Sequence, residues 1–176
     1  MSRKFSITAF LLLFMAIPAL LLAGMIGKPA PGFSLPSMDG RPVALADYRG
    51  KVVFIDFWAS WCPPCKKEFP ELNAFLKRQT DPDFVVLAIN VDTRRAHAEE
   101  FVRGLASPLS DRLHVLLDPG ASVIAEFNAR AMPTSFIIDR LGNVRFIHFG
   151  FSESDPQAWG SEVGELLKEG VSGGGV

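Results

Sequence analysis

The apolar positions of this chain fall into one long block and a series of short ones. Arg3 and Lys4 precede 23 uncharged residues, Phe5 to Gly27, and every position from Ala9 to Gly27 is apolar, Pro or Gly. Beyond Lys28 the blocks shorten. Phe33 to Leu35 and Val43 to Leu45, separated by Met38-Asp39-Gly40-Arg41, predict a small N-terminal hairpin. Lys51 to Trp58 is apolar on both faces apart from one acid, the pattern of a central strand covered by helices on each side. From Pro63 to Arg78 the period changes, with Phe69, Leu72, Phe75 and Leu76 on one stripe of a helix. Phe84 to Val91 predicts a second buried strand, Arg94 to Gly104 a helix and Val115 to Leu117 a short strand. Ala121 to Phe127 predicts a helix primed by Asp118-Pro119. Thr134 to Asp139 and Val144 to Phe149 flank the turn Arg140-Leu141-Gly142-Asn143, and a last amphipathic helix covers Pro156 to Glu169. Strands alternating with helices before a terminal hairpin and helix predict an α/β fold, a three-layer sandwich on a mixed sheet.

The organisation expected from this pattern is a targeting segment over 1–27, one domain over 28–169 and a flexible tail over 170–176. The Pro/Gly-rich stretch Gly27 to Gly32 reads as a short linker. The leader has two readings. It is a retained signal anchor, long enough to cross a hydrocarbon core of about 30 Å at about 1.5 Å per residue, or a signal peptide cut after Ala23. With the basic residues ahead of the apolar run, everything after Lys28 is expected outside the cytoplasm. That places the domain on the outer side of the membrane, tethered to it or released from it.

At 176 residues the chain accommodates one ordinary globular domain with a core. A formal net charge of -1 provides no general attraction to nucleic acid. There are only two cysteines, Cys62 and Cys65, which excludes a disulfide framework and leaves too few thiolates for a cysteine-rich zinc site. His97, His114 and His148 show no paired ligand spacing, so no metal site is expected.

What remains is one local dithiol, Trp61-Cys62-Pro63-Pro64-Cys65, between a buried strand and a helix. A C-x-x-C pair there puts the first sulfur at the N-cap, where free N–H groups and the positive helix end stabilise a thiolate. Cys62 is therefore the expected nucleophile. Cys65, in the first turn, is expected to resolve the mixed disulfide, and the pair itself serves as the redox group without a further cofactor. Asp56, six residues before Cys62 in an apolar run, is expected to have a raised pKa and to exchange a proton with the Cys65 thiol. The alternative is a hydrated acid, or one paired with Lys51 or Lys66. Glu68 is either a second acid tuning the thiols or a solvated helix glutamate. Pro63 and Pro64 withhold two N–H groups from Cys62, so its thiolate is modestly stabilised and the pair leans toward reduction; Pro63→Gly is expected to raise the potential and lower the Cys62 pKa.

The string Val53 to Lys66 resembles the active-site region of thioredoxins. Gly27-Lys28-Pro29-Ala30-Pro31-Gly32-Phe33, Asp39-Gly40, Gly50-Lys51 and Cys65-Lys66-Lys67-Glu68-Phe69-Pro70 resemble the membrane-anchored TlpA/ResA/DsbE-type thioredoxins, over roughly residues 27 to 169. The resemblance implies a thioredoxin-like fold with an extra strand and helix between the strands at Phe84 and Thr134. It also implies a cis-proline loop at Met132-Pro133-Thr134 facing the dithiol. Partner backbones would dock there, with Trp61, Pro63 and Pro64 completing the surface. Both Asp56 and Glu68 match acids of related branches, which leaves the shuttle open between them.

The implied activity is reduction of specific protein disulfides. A membrane thiol carrier of the DsbD/CcdA kind would supply electrons, and an apocytochrome c C-x-x-C or a copper-site protein would receive them. Peroxiredoxins share the Pro-Ala-Pro-Gly-Phe style of opening, but their P-x-x-x-[ST]-x-x-C setting and a distant resolving cysteine are absent from the sequence. A metallochaperone or redox-inactive binding module using the same groove is the reading from another class.

Overall fold

A computed structural model describes residues 24–169 of the chain. Most of the leader and the tail over 170–176 therefore lie outside the described residues, and among those described no helix is long and apolar enough to cross a membrane.

Strands β1 (Ser34–Pro36) and β2 (Pro42–Ala44) form an antiparallel hairpin, followed by a 3-10 turn at Leu45–Tyr48. Then come β3 (Val52–Trp58), α1 (Pro63–Arg78), β4 (Phe84–Asn90), α2 (Arg95–Arg103) and β5 (Leu113–Leu117). The chain ends with α3 (Ser122–Glu126), β6 (Thr134–Ile138), β7 (Val144–Phe149) and α4 (Asp155–Lys168). The main sheet runs β5-β4-β3-β6-β7, with β3, β4 and β5 parallel and β6 and β7 antiparallel. The architecture is thus the expected mixed-sheet, thioredoxin-like α/β sandwich with its N-terminal hairpin and, between β4 and β6, strand β5 flanked by α2 and α3.

All seven residues of β3 are buried because the strand has neighbours on both edges and layers on both faces. Its alternation sorts the core. Val52, Phe54 and Trp58 meet Phe69, Leu72, Phe75 and Leu76 of α1 and Trp159, Val163 and Leu166 of α4. The Trp159 ring stands 5.3 Å from Phe54 and 5.8 Å from Phe75, edge on. Val53, Ile55 and Phe57 face the other way, toward the hairpin and α3, where Phe57, Phe127 and Phe136 contact one another at ring separations of 5.0 to 6.0 Å.

Two local features differ from the sequence pattern. β5 begins at Leu113 rather than Val115, because Leu113 and His114 join the parallel ladder opposite Val86 and Leu87. His114 breaks the apolar run, yet it is half-buried and lies against the Tyr48 ring at 5.7 Å. The 3-10 turn has no signal in the apolar pattern, and it is held by Asp47 Oδ2 accepting the Ala44 N–H at 3.0 Å. The five-residue α3 starts as expected from Asp118, whose carboxylate accepts the N–H groups of Ser122, Val123 and Ile124 at 2.9 to 3.2 Å.

Helix α1 carries the dithiol, and its far end is pinned by Arg112. The guanidinium donates to Leu76 O at 3.0 Å and to Gln79 O, and also to Asp81 O at 2.8 Å and Phe84 O at 3.0 Å. A cation at the helix C-terminus satisfies carbonyls the helix itself leaves free and ties the helix to the start of β4. The other end opens at the carboxyl edge of the parallel strands, where α/β sheets place their sites.

Candidate active site

Three residues, Ala59 to Trp61, connect β3 to the cap of α1. Cys62 is the N-cap, extended at φ -86 and ψ 111, and Pro63 and Pro64 occupy N1 and N2. The fixed proline φ suits the first helical turn, where an N–H would have no intrahelical partner. Cys65 at N3 donates its backbone N–H to Cys62 Sγ at 3.3 Å. The sulfurs are joined as a disulfide across a Cα–Cα distance of 5.3 Å. Both residues are enclosed, Cys62 at 4% and Cys65 at 1% exposure, whereas Trp61 beside them is 62% exposed. Cys62 is therefore the more accessible of the two.

This geometry refines the expectation for the prolines. A cap side chain accepts from N2 or N3, so the donor that Cys62 lacks belongs to position 64, not 63. Pro64→Ala should raise the reduction potential by roughly 30–60 mV, the equivalent of one hydrogen bond to a charged group, with a lower Cys62 pKa. Pro63→Ala should shift it less. Equilibration of each variant with glutathione or thioredoxin buffers checks the order.

A groove of about 380 Å³ opens at the dithiol, lined by Trp61, Cys62, Pro63, Pro64 and Met132, together with Ile124, Ala129, Arg130 and Ala131. The Met132–Pro133 peptide is cis. Met132 reaches the groove, while Pro133 and Thr134 are buried behind it. The Thr134 hydroxyl donates to Ala131 O at 2.8 Å and the Pro133 carbonyl accepts the Gly150 N–H at 2.9 Å. The Thr134 side chain thus braces its own loop and does not line the groove. Ile124, Ala129 and Arg130 escape a reading of the sequence because they come from α3 and the segment after it, which only the tertiary fold brings to the dithiol.

The acids are both interior. Asp56 is 1% exposed, on the face of β3 that meets α1, and neither carboxylate oxygen has a hydrogen-bond partner. The alternative pairing with Lys51 or Lys66 is not formed; Lys51 instead pairs with Asp83 at 3.6 Å. Glu68 is also 1% exposed, so the solvated-glutamate reading is excluded. Its Oε1 accepts from Ser135 Oγ at 3.3 Å, and Ser135 lies opposite Asp56 in the β3–β6 ladder. The two carboxyls and one hydroxyl are therefore trapped between the sheet and α1. Burial pushes both acids well above the usual carboxylate range. Glu68 is pushed further, by burial first and then by the neighbouring charge of Asp56, with the Ser135 hydrogen bond opposing only in part. Such a pair gives up its protons in two separated steps, so near neutrality one carboxyl can accept a proton while the other still holds its own.

The arrangement can exchange a disulfide at the groove and manage one proton beneath it. Residues 26–147 match the AhpC/TSA family. The chain is 33% identical over 119 residues to a thiol-disulfide oxidoreductase ResA of Bacillus cereus, covering 68% of this chain and 66%, just under two thirds, of that protein's length. A structure described as a putative thiol:disulfide interchange protein DsbE from Chlorobium tepidum superposes with a TM-score of 0.74 at 36% identity, over 81% of this chain and 97% of that one. The exposed lipoprotein thioredoxin Etrx1 of Streptococcus pneumoniae strain TIGR4 superposes with a TM-score of 0.63 at 32% identity, over 77% and 100%. With its thioredoxin-like sheet, its helix-capping dithiol and these likenesses, the chain belongs to the AhpC/TSA family and is similar to the thioredoxin-like thiol-disulfide oxidoreductases of ResA and DsbE type.

Proposed function

We propose that this protein is an extracytoplasmic thiol:disulfide oxidoreductase that reduces specific protein disulfides. The observation that carries the reading is Cys62 Sγ at the mouth of α1, holding the Cys65 N–H, on the floor of a groove bordered by Met132. Cys62 as thiolate attacks one sulfur of a partner disulfide, forming a mixed disulfide and releasing the other sulfur as a thiolate. Cys65 loses its proton to the acid pair and attacks Cys62, freeing the second partner thiol. Two electrons have then left the dithiol, which ends as the Cys62–Cys65 disulfide and must be reduced again by a donor dithiol.

Asp56 is the proton acceptor in this reading, its proton affinity raised by burial, and Glu68 is the neighbour that still holds its own proton near neutrality. Trp61, Pro63, Pro64 and Met132 form the docking surface for an extended partner segment. Pro133 and Thr134 hold it from behind. The leader supports a location outside the cytosol, tethered or released, and so do the names of the relatives, one of them an exposed lipoprotein. In such an oxidising compartment electrons must come through the membrane, which favours a carrier of the DsbD/CcdA kind as donor. A C-x-x-C of an apocytochrome c or a copper-site protein fits as acceptor, since both need paired thiols kept reduced.

With a dithiol as electron source, the purified full-length chain is expected to reduce insulin disulfides in a reaction lost in Cys62→Ala, and to turn over hydrogen peroxide negligibly. Rapid peroxide turnover would move the chain to the peroxidases. Retention of biological function without Cys62 would point instead to a metallochaperone or a redox-inactive adaptor.

A further inference from the structure

We propose that Asp92 is a positioning residue for Cys62, acting through Ser60; the inference rests on the reading of Cys62 as nucleophile. The three-residue connection from β3 to the cap of α1 has few backbone anchors of its own: Trp58 O accepts the Val91 N–H at 3.0 Å and Ala59 O accepts the Cys62 N–H at 3.2 Å. Between these two lies Ser60, whose N–H has left the strand ladder. Asp92, just past the end of β4, takes it. Its Oδ2 accepts the Ser60 N–H at 3.1 Å and its Oδ1 accepts the Ser60 hydroxyl at 3.1 Å. Asn90 braces the same carboxylate, donating from Nδ2 to Oδ2 at 2.9 Å and accepting the Asp92 N–H on Oδ1 at 3.0 Å. Asp92 is 3% exposed and Asn90 is fully buried.

A buried carboxylate is costly unless hydrogen-bonded, and here all three donors facing it are neutral groups. The sequence therefore keeps an expensive residue where its result is to clamp one serine from two sides. That serine is two residues from the nucleophile. A side chain at an N-cap aims its sulfur by backbone φ and ψ, so freedom at Ser60 is transmitted through Trp61 to Cys62. Once the cap conformation loosens, Sγ loses its hold on the Cys65 N–H and its alignment toward the groove together. A reacting atom held on a rigid element is worth much more than the same atom held loosely.

Asparagine at position 92 separates geometry from charge. Its carbonyl oxygen can accept from Ser60 N and Asn90 Nδ2, and its amide can donate to the Ser60 hydroxyl, so every contact survives without the charge. Alanine removes them all. In the full-length chain, two quantities are to be read: the second-order rate constant for reducing a protein disulfide, and the Cys62 thiol pKa from the pH dependence of alkylation. Asp92→Ala is expected to lower the rate about tenfold and raise the Cys62 pKa, while Asp92→Asn stays within about twofold of the parent. Ser60→Ala, which keeps the N–H contact, is expected between them.

Unchanged rate and pKa in Asp92→Ala overturn the proposal, and so does an Asp92→Asn variant as impaired as the alanine. If Asp92→Ala does not fold, parental values in Ser60→Ala overturn it equally. Activity persisting in Cys62→Ala defeats the underlying reading instead, a result separate from any of these.

Discussion

Replacing Cys65 by alanine is expected to stop turnover and leave the protein covalently joined to its partners. The substitution removes the resolving sulfur but preserves the backbone N–H that Cys65 gives to Cys62 at 3.3 Å, so the nucleophile keeps its donor. Attack proceeds and the second exchange cannot. Turnover should fall by roughly 10³-fold or more, the scale seen when one member of a catalytic unit is lost. Mixed disulfides should appear on non-reducing gels and vanish when Cys62→Ala is added. The near-complete enclosure of Cys65, 1% exposed, makes the alternative order, with Cys65 attacking first, geometrically unfavourable.

The buried acid pair carries the second large effect, on both stability and rate. Asp56 and Glu68 have folded-state pKa values raised by burial, so the folded protein holds protons that the unfolded chain has released. As pH climbs from about 4, the usual carboxylate range, the native state therefore loses stability relative to a chain without these acids, until both have ionised. The Asp56→Asn, Glu68→Gln double variant should show the difference directly. Near pH 4 it should match the parent, and by pH 8 it should be more stable by about 2 kcal/mol or more, as read from denaturant melts across pH. A constant difference over that range would contradict the burial account.

The same substitutions should slow resolution of the mixed disulfide by roughly 10²-fold, the lower range for losing a general base. Asp56→Asn should carry most of that loss near neutrality. Glu68 still holds its proton there, so the neutral Gln mimics it and the single Glu68→Gln variant should act mainly at alkaline pH.

The strand and helix carrying the dithiol are legible from sequence because each has a strong period: β3 is apolar but for one residue, and α1 repeats its apolar residues at three and four. Asp56 stands out as the single polar residue in that strand. Glu68 is ambiguous, since its position three residues after Cys65 gives a helix face but not what covers it; the cover is Ser135, 67 residues further on. The same limit hides Arg130 and Ile124 of the groove and the Asp92 clamp on Ser60, all of them contacts between segments far apart in the chain. His114 conceals the start of β5 because a half-buried histidine against Tyr48 looks polar in sequence. The membrane or signal reading falls mainly on residues outside those described.

The central claim is that Cys62 and Cys65 form a reversible, reducing dithiol that gives electrons to the disulfides of other proteins, and a redox titration tests it most directly. The full-length chain is equilibrated in defined thiol/disulfide buffers, quenched and alkylated, and the oxidised fraction is counted. The account predicts one reversible two-electron transition at a reducing potential, near thioredoxin's value of roughly −270 mV. A pair that stays closed at every potential unless the protein is unfolded, or that titrates near about −120 mV like a strong oxidant, would contradict it.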